Sequence, residues 1–174
     1  MDAALKKKAA AIRLAVFDVD GVMTDGSLIL GEDGNEHKIF HAHDGLGLVM
    51  LREAGFQVAV ISSRSSNIVS QRMSALGIKF IYQGQANKQE AMGALMKRLR
   101  LDESCTAFAG DDLIDLPAMA KAGLAIAVAN AHPQVKNHAD WVTSNPGGRG
   151  AVREICELLL DAQGLLESSY QRYL

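Results

Sequence analysis

The chain has 174 residues, enough for one domain with a sizeable core, and its 48% hydrophobic and 22% charged residues are ordinary for a globular protein. A net charge of −2, with only one Trp, three Tyr and five Phe, excludes the basic stripe and stacking platform of a nucleic-acid binder. No segment approaches the ~20 uninterrupted apolar residues of a membrane span. The lead-in Met1–Arg13 carries three lysines and a split apolar run, without a signal peptide's apolar centre, and reads as an exposed helix or a disordered stretch. Cys105 and Cys156 form no metal-ligand spacing and read as small apolar residues of a reduced compartment, so a cytoplasmic location is expected.

In chain order, apolar runs rich in β-branched residues predict strands over Ile12–Phe17, Val58–Ile61, Ile78–Tyr82, Thr106–Ala109 and Leu124–Val128. Between them, amphipathic stretches predict helices over Leu46–Ala54, Asn67–Leu76, Lys88–Leu99 and Leu113–Lys121. Alternation of this kind predicts an α/β fold: a doubly wound, mostly parallel, Rossmann-like sheet with helices on both faces. One insertion breaks it. Two short apolar runs flank the glycine-containing loop Gly31–Asn35, which predicts a β-hairpin at about residues 26–40 after the first strand. It is too short for a second domain. A flexible loop, Asn145–Gly150, precedes a final helix over Ala151–Ala162, so the C-terminal loop, helix and tail occupy about 145–174 of a single domain, 1–174.

The predicted strand ends carry the chemistry. Asp18 and Asp20 follow the first, with Gly21 next. Ser62, Ser63 and Arg64 follow the second. Lys88 opens the helix after the third, and Gly110-Asp111-Asp112 follows the fourth, with Asp115 one turn on. Strand ends of one polarity share one edge of a parallel sheet, where ligands bind. Hard carboxylate oxygens with no histidine or cysteine among them suit Mg²⁺. A lysine, a serine hydroxyl and backbone N–H groups near Gly21 suit phosphoryl oxygens. One carboxylate can attack phosphorus while a second moves the proton. Alone, Asp-x-Asp or Gly-Asp-Asp is a solvated turn more often than a site; all the pieces in order at successive strand ends are not.

Asp18-Val19-Asp20-Gly21-Val22-Met23-Thr24-Asp25-Gly26, Ser62, Lys88 and Gly110-Asp111-Asp112-Leu113-Ile114-Asp115 resemble the four motifs of the haloacid dehalogenase superfamily. Tyr82-Gln83-Gly84-Gln85, Asn87-Lys88, Ala131-His132-Pro133 and Gly147-Gly148-Arg149-Gly150-Ala151-Val152-Arg153-Glu154 resemble its capless branch, and within that the 3-deoxy-D-manno-octulosonate 8-phosphate phosphatase family. The resemblance implies a Mg²⁺-dependent phosphoric monoester hydrolase of lipopolysaccharide precursor biosynthesis, working through an aspartyl phosphate. It implies Asp18 as nucleophile and Asp20 as general acid and base. Ser62 and Lys88 become phosphate ligands, and the metal lies at Asp18, Asp111 and the Asp20 carbonyl oxygen. Asp112 and Asp115 are acidic supports, Asp115 orienting Lys88. Arg64 is expected to bind the carboxylate of a phosphorylated sugar acid in a bidentate fork. The resemblance further implies a homotetramer whose hairpins form a shared barrel, with the Gly147–Gly150 loop reaching a neighbouring site. Two positions depart from the family pattern: Ser63 stands where glycine usually precedes the arginine, and His43 where arginine often precedes Asp-Gly.

Two other readings compete. A nonulosonate 9-phosphate phosphatase shares the motifs. A phospho-accepting receiver module also gathers acids, a hydroxyl and a lysine, but its acceptor follows the third strand, whereas here the paired acids follow the first.

Overall fold

The computed structural model describes residues 2–32 and 34–174. Six strands form one parallel sheet: β1 (Leu14–Phe17), β4 (Gln57–Ile61), β5 (Phe80–Tyr82), β6 (Thr106–Gly110), β7 (Leu124–Ala127) and β8 (Trp141–Val142), in the order β5-β4-β1-β6-β7-β8. The chain runs outward from β1 through β4 and helix α3 (Asn67–Ala75) to β5, then returns to β6 on the other side. The winding therefore reverses at β1, and ligands of open α/β sheets bind beyond the strand ends at such a reversal.

β1 is buried on both faces, as its unbroken Leu-Ala-Val-Phe requires. Phe17 and Phe108, at the centre of the sheet, are fully buried. Helix α1 (Ala3–Ala11) packs on α7 (Ala151–Ala162), which also packs on α2 (Ala42–Glu53). On the other side α4 (Lys88–Leu99) meets α5 (Leu116–Met119), and α5 meets α6 (Pro133–His138). The bounds of α4 and α7 coincide with the predicted ones. The N-terminal lead-in is a helix capped by Asp2, with Leu5 and Ala9 buried, not a loose end. Between Leu113 and Lys121 a 3₁₀ turn over Leu113–Asp115 precedes the short α5 in place of one helix. Strand β8, α6 and a last helix α8 (Leu166–Tyr170) carry too little periodicity to be read from sequence. No helix among the described residues is long and apolar enough to cross a membrane.

Between β1 and α2 the expected hairpin forms, with strands β2 (Ile29–Leu30) and β3 (Glu36–His37) paired antiparallel. Asp33, inside its loop, lies outside the described residues. Cys156 is buried, Cys105 is half-buried, and both are free thiols.

The 145–150 loop is anchored to its own chain at two glycines. Asn130 Oδ1 accepts the Gly147 N–H at 2.8 Å, and the Val22 carbonyl accepts the Gly148 N–H at 2.9 Å. A Cβ at Gly147 would lie 1.7 Å from the carbonyl oxygen of Gly21. Behind this loop, buried Asp44 of α2 accepts the N–H groups of Gly150 at 3.3 Å and Arg153 at 2.9 Å, serving as the cap that the N-terminus of α7 lacks in its own sequence. Gly147→Ala is therefore expected to cost about 1–3 kcal/mol, read as a fall in the urea midpoint. Gly93→Ala, mid-helix in α4 with nothing within 4 Å of the added methyl, should instead raise the midpoint.

Candidate active site

At the carboxyl end of β1, the Ala109 carbonyl still accepts the Asp18 N–H at 3.0 Å, so the ladder itself fixes where this carboxylate starts. The chain then turns tightly, the Met23 and Thr24 N–H groups both donating to the Val19 carbonyl. Gly21 takes φ +89° in this turn, and a Cβ there would sit 2.0 Å from Asp111 Oδ2. Glycine is required on both counts: left-handed backbone and close approach of a neighbouring carboxylate. The Gly21 N–H donates to Thr24 Oγ1 at 3.3 Å. That N–H is engaged within the turn, and the requirement for glycine here is one of shape.

Lys88, in the first turn of α4, has a side chain only 1% exposed. Its ammonium donates to Asp115 Oδ1 at 2.6 Å and lies 2.8 Å from Asp18 Oδ1. Asp115 is fully buried, and its second oxygen accepts the N–H groups of Asp111 and Asp112 at 3.0 and 3.2 Å. Both Asp115 oxygens are thus engaged. Exposed Asp112 caps the 3₁₀ turn, accepting the Leu113 N–H at 2.7 Å. Carboxylate oxygens of Asp18, Asp111 and Asp115 all lie within 4.8 Å of one another. Three acids therefore face one lysine.

The excess of acid shows in their acidities. Burial, then the Asp115 charge, pushes Asp18 from 3.8 up to about 7 against the pull of Lys88. Burial, then Asp18, Asp115 and Asp112, pushes Asp111 up to about 7 as well. Burial alone would lower Lys88, but Asp18 and Asp115 outweigh it and raise the lysine above its ordinary 10.5. The Oδ1 atoms of Asp18 and Asp111 are buried with no hydrogen-bond donor; the Lys88–Asp18 contact is an ion pair without hydrogen-bond alignment. Two orphaned carboxylate oxygens, both acids reluctant to ionise, fit a hard divalent cation. Asp115, with its oxygens engaged, does not add a free ligand atom.

Ser62, buried after β4, accepts the Arg64 N–H on Oγ at 3.2 Å. Asp18, Asp20, Ser62, Lys88 and Asp111 line one cleft of about 240 Å³, with Arg64 at its wall. A roomier cleft of about 430 Å³ beside α4 gathers no comparable set. Arg64 is not free: its guanidinium donates to Glu36 Oε1 at 2.9 Å and has Nε 3.8 Å from Asp20 Oδ2. Lys38, beside Glu36, donates to Asp20 Oδ1. Burial opposes the ionisation of Glu36, but Lys38 and Arg64 outweigh it and hold Glu36 below its ordinary 4.5. Neither Glu36 nor Lys38 is signalled by the sequence, where they lie in the hairpin segment without any motif. His43 is exposed, stacks edge-on against His41 with centroids 4.9 Å apart, and does not line the cleft. His132 Nδ1 accepts the Gln134 N–H in α6.

A buried carboxylate, a second acid two residues on, a lysine and a hydroxyl at the reversal of a parallel sheet define a phosphohydrolase of the α/β class. Comparison with known proteins refines this. The family model described as haloacid dehalogenase-like hydrolase matches residues 65–155, just over half of the chain. The 3-deoxy-D-manno-octulosonate 8-phosphate phosphatase KdsC of Escherichia coli K12 is 47% identical over 162 residues, 93% of this chain and 86% of that protein. The crystal structure of the same-named phosphatase from Moraxella catarrhalis, in complex with a magnesium ion, a phosphate ion and a KDO molecule, has TM-score 0.96 and 42% identity over 98% of both chains. The cobalt-bound enzyme of Haemophilus influenzae has TM-score 0.90 and 43% identity over 94% of this chain and 99% of its own. The chain belongs to the haloacid dehalogenase-like hydrolases and, among them, to the 3-deoxy-D-manno-octulosonate 8-phosphate phosphatase family.

The raised acids have a consequence for stability. Between 3.8 and about 7 the folded state holds protons on Asp18 and Asp111 that the unfolded chain has released. In metal-free buffer these two groups therefore stabilise the fold at low pH, and that contribution is lost as pH rises through about 7. Asp111→Asn should flatten this fall, both by removing one group and by relieving Asp18. Urea midpoints of the two proteins across the window measure it, and parallel slopes would contradict the assignment.

Proposed function

We propose that this chain is a Mg²⁺-dependent phosphatase that hydrolyses 3-deoxy-D-manno-octulosonate 8-phosphate to the free sugar acid and phosphate. The observation that carries the reading is the pairing of Asp18 and Asp111, each with an orphaned buried oxygen, beside Lys88 at the end of β1. Relatives named for this activity match nearly the whole chain, which favours it over a nonulosonate phosphatase.

Asp18 attacks phosphorus; the bond from phosphorus to the sugar oxygen breaks, and that oxygen takes a proton from Asp20. Asp20, now a carboxylate, removes a proton from water as the water oxygen attacks phosphorus and the bond to Asp18 breaks. Lys88 and the Ser62 hydroxyl hold phosphoryl oxygens. Asp115 keeps Lys88 in place while leaving its remaining protons for phosphate. A divalent cation held by Asp18, Asp111 and the Asp20 carbonyl oxygen would neutralise the acids against the phosphate dianion. Arg64, 46% exposed along its side chain, recognises the sugar-acid carboxylate by exchanging Glu36 for it. Residues 1–174 work as one catalytic unit in the cytoplasm, where the thiols of Cys105 and Cys156 stay reduced.

The assembly proposed is a homotetramer built on the hairpins. Their support is an uncovered apolar surface: Leu28, Ile29, Leu30 and Ile39 are 51, 42, 69 and 55% exposed. Leu30→Glu should then lower the mass seen by light scattering, and an unchanged mass would argue against hairpin contacts.

Phosphate release with Mg²⁺, measured over a panel of sugar-acid phosphates and neutral sugar phosphates, tests the activity. Asp18→Asn is expected to abolish turnover and Asp20→Asn to lower it by about 10²–10⁴. Chelation should stop the reaction and Mg²⁺ restore it. Arg64→Ala should lose the preference for acidic sugars with Mg²⁺-dependent release from small esters preserved. Full release by Asp18→Asn would remove it as nucleophile.

A further inference from the structure

Lys38 lies just after β3 on an exposed hairpin, yet its side chain is 1% exposed. Lysine is rarely buried without partners, because an unpaired ammonium in a dry site is costly. Its partners are Asp20 Oδ1 and Glu36 Oε1, the latter at 3.2 Å. Arg64 closes a ring, donating to the same Glu36 oxygen at 2.9 Å and standing 3.8 Å from the other Asp20 oxygen. Acid and base alternate around it: Asp20, Lys38, Glu36, Arg64.

Asp20 sits on the turn after β1, and its side chain is 19% exposed. Among the described residues its carboxylate is held only by Lys38 and Arg64. Arg64 is at long range and largely exposed; Lys38 is in contact and buried. A proton donor works only when held within hydrogen-bond reach of the oxygen it serves, and a misplacement of about 1 Å costs roughly 10²-fold in rate.

We infer that Lys38 is a positioning residue for Asp20, carried by the hairpin, which aims the proton-transferring carboxylate at the leaving oxygen. The inference rests on the proposed acid role of Asp20. Glu36 gives the arrangement its rigidity by tying Lys38 to Arg64, so that hairpin, acid and substrate-facing guanidinium move as one.

The test compares kcat/KM for 3-deoxy-D-manno-octulosonate 8-phosphate, whose alkoxide must be protonated as it leaves, with that for p-nitrophenyl phosphate, whose phenolate need not be. Because kcat/KM ends at the first irreversible step, it reports leaving-group departure apart from the later attack by water. Lys38→Met is expected to lower it about 10–100-fold for the sugar phosphate and less than about threefold for the aryl ester. Lys38→Arg should recover part of the loss, and any loss that remains should fall on the sugar ester. That variant carries the comparison if Lys38→Met does not fold. In an Asp20→Asn background, Lys38→Met should add less than about threefold, since it acts through the missing acid. Equal losses on both esters, or multiplicative losses in the double variant, would overturn the inference. If Asp20→Asn discriminates between the esters and Lys38→Met does not, Lys38 alone falls. If Asp20→Asn itself fails to discriminate, the acid role falls and takes Lys38 with it.

Discussion

The structure turns on a deliberate shortage of positive charge. Asp18, Asp111 and Asp115 converge at the end of β1 around a single buried ammonium, that of Lys88. Asp115 is satisfied: one oxygen takes Lys88 and the other takes two backbone N–H groups. Asp18 and Asp111 are left with orphaned oxygens and with acidities pushed up to about 7. A core designed only for stability would not keep such a cluster, because each buried acid without a partner costs free energy that packing elsewhere must offset. Such clusters survive where a cation and a reaction use them. Lys88 does double duty here, bridging Asp18 and Asp115, and in the proposed reaction it leaves part of its hydrogen-bonding capacity for phosphate.

Holding these groups together requires a rigid frame on every side. From the sheet come β1 and β6, paired in register so that Asp18 and Asp111 leave adjacent strands. From α4 comes Lys88, placed by the Asn87 cap that accepts the Glu90 N–H at 3.1 Å. The third support is less direct. Asp44 fixes the start of α7, α7 fixes the glycine loop before it, and Gly147 lies flat against Gly21. Gly21 in turn leaves room for the Asp111 carboxylate. A steric chain therefore runs from α2 to the acids at the end of β1, with glycine at its close approaches.

Much of this was legible in the sequence because local and global signals agree. Apolar runs ending in Asp18, Ser62 or Asp111 marked both the strands and the edge that gathers the site. Asn87 and Gly150 bracket α4 and α7 where helices were expected. What was not legible depends on contacts between distant segments. Strand β8 is only Trp141–Val142 and exists because β7 offers an edge to pair with. Gly147 was visible as a glycine, but nothing local says that it meets Gly21. Arg64 was legible only as a candidate carboxylate ligand, and nothing local marks Glu36 or Lys38; the fold brings Lys38 and Arg64 onto Asp20 and links them through Glu36.

The hairpin is inserted between β1 and α2, and its two faces have different demands. The residues at the stem, Glu36 and Lys38, turn toward Asp20 with side chains 16 and 1% exposed. Leu28, Leu30 and Ile39 face solvent, apolar and uncovered. A ladder of two residues per strand is marginal by itself, so the hairpin's position depends on its charges on one side and on a cover for the other. In the proposed tetramer neighbouring hairpins supply that cover. Such an assembly, by fixing the hairpin, would fix Lys38, and through Lys38 the Asp20 carboxylate to which the proposed mechanism gives the proton transfer. A separated subunit would keep Asp18, Lys88 and Asp111 in place, since the sheet and α4 hold them. It would loosen Asp20 first, and with it the step that depends on leaving-group protonation.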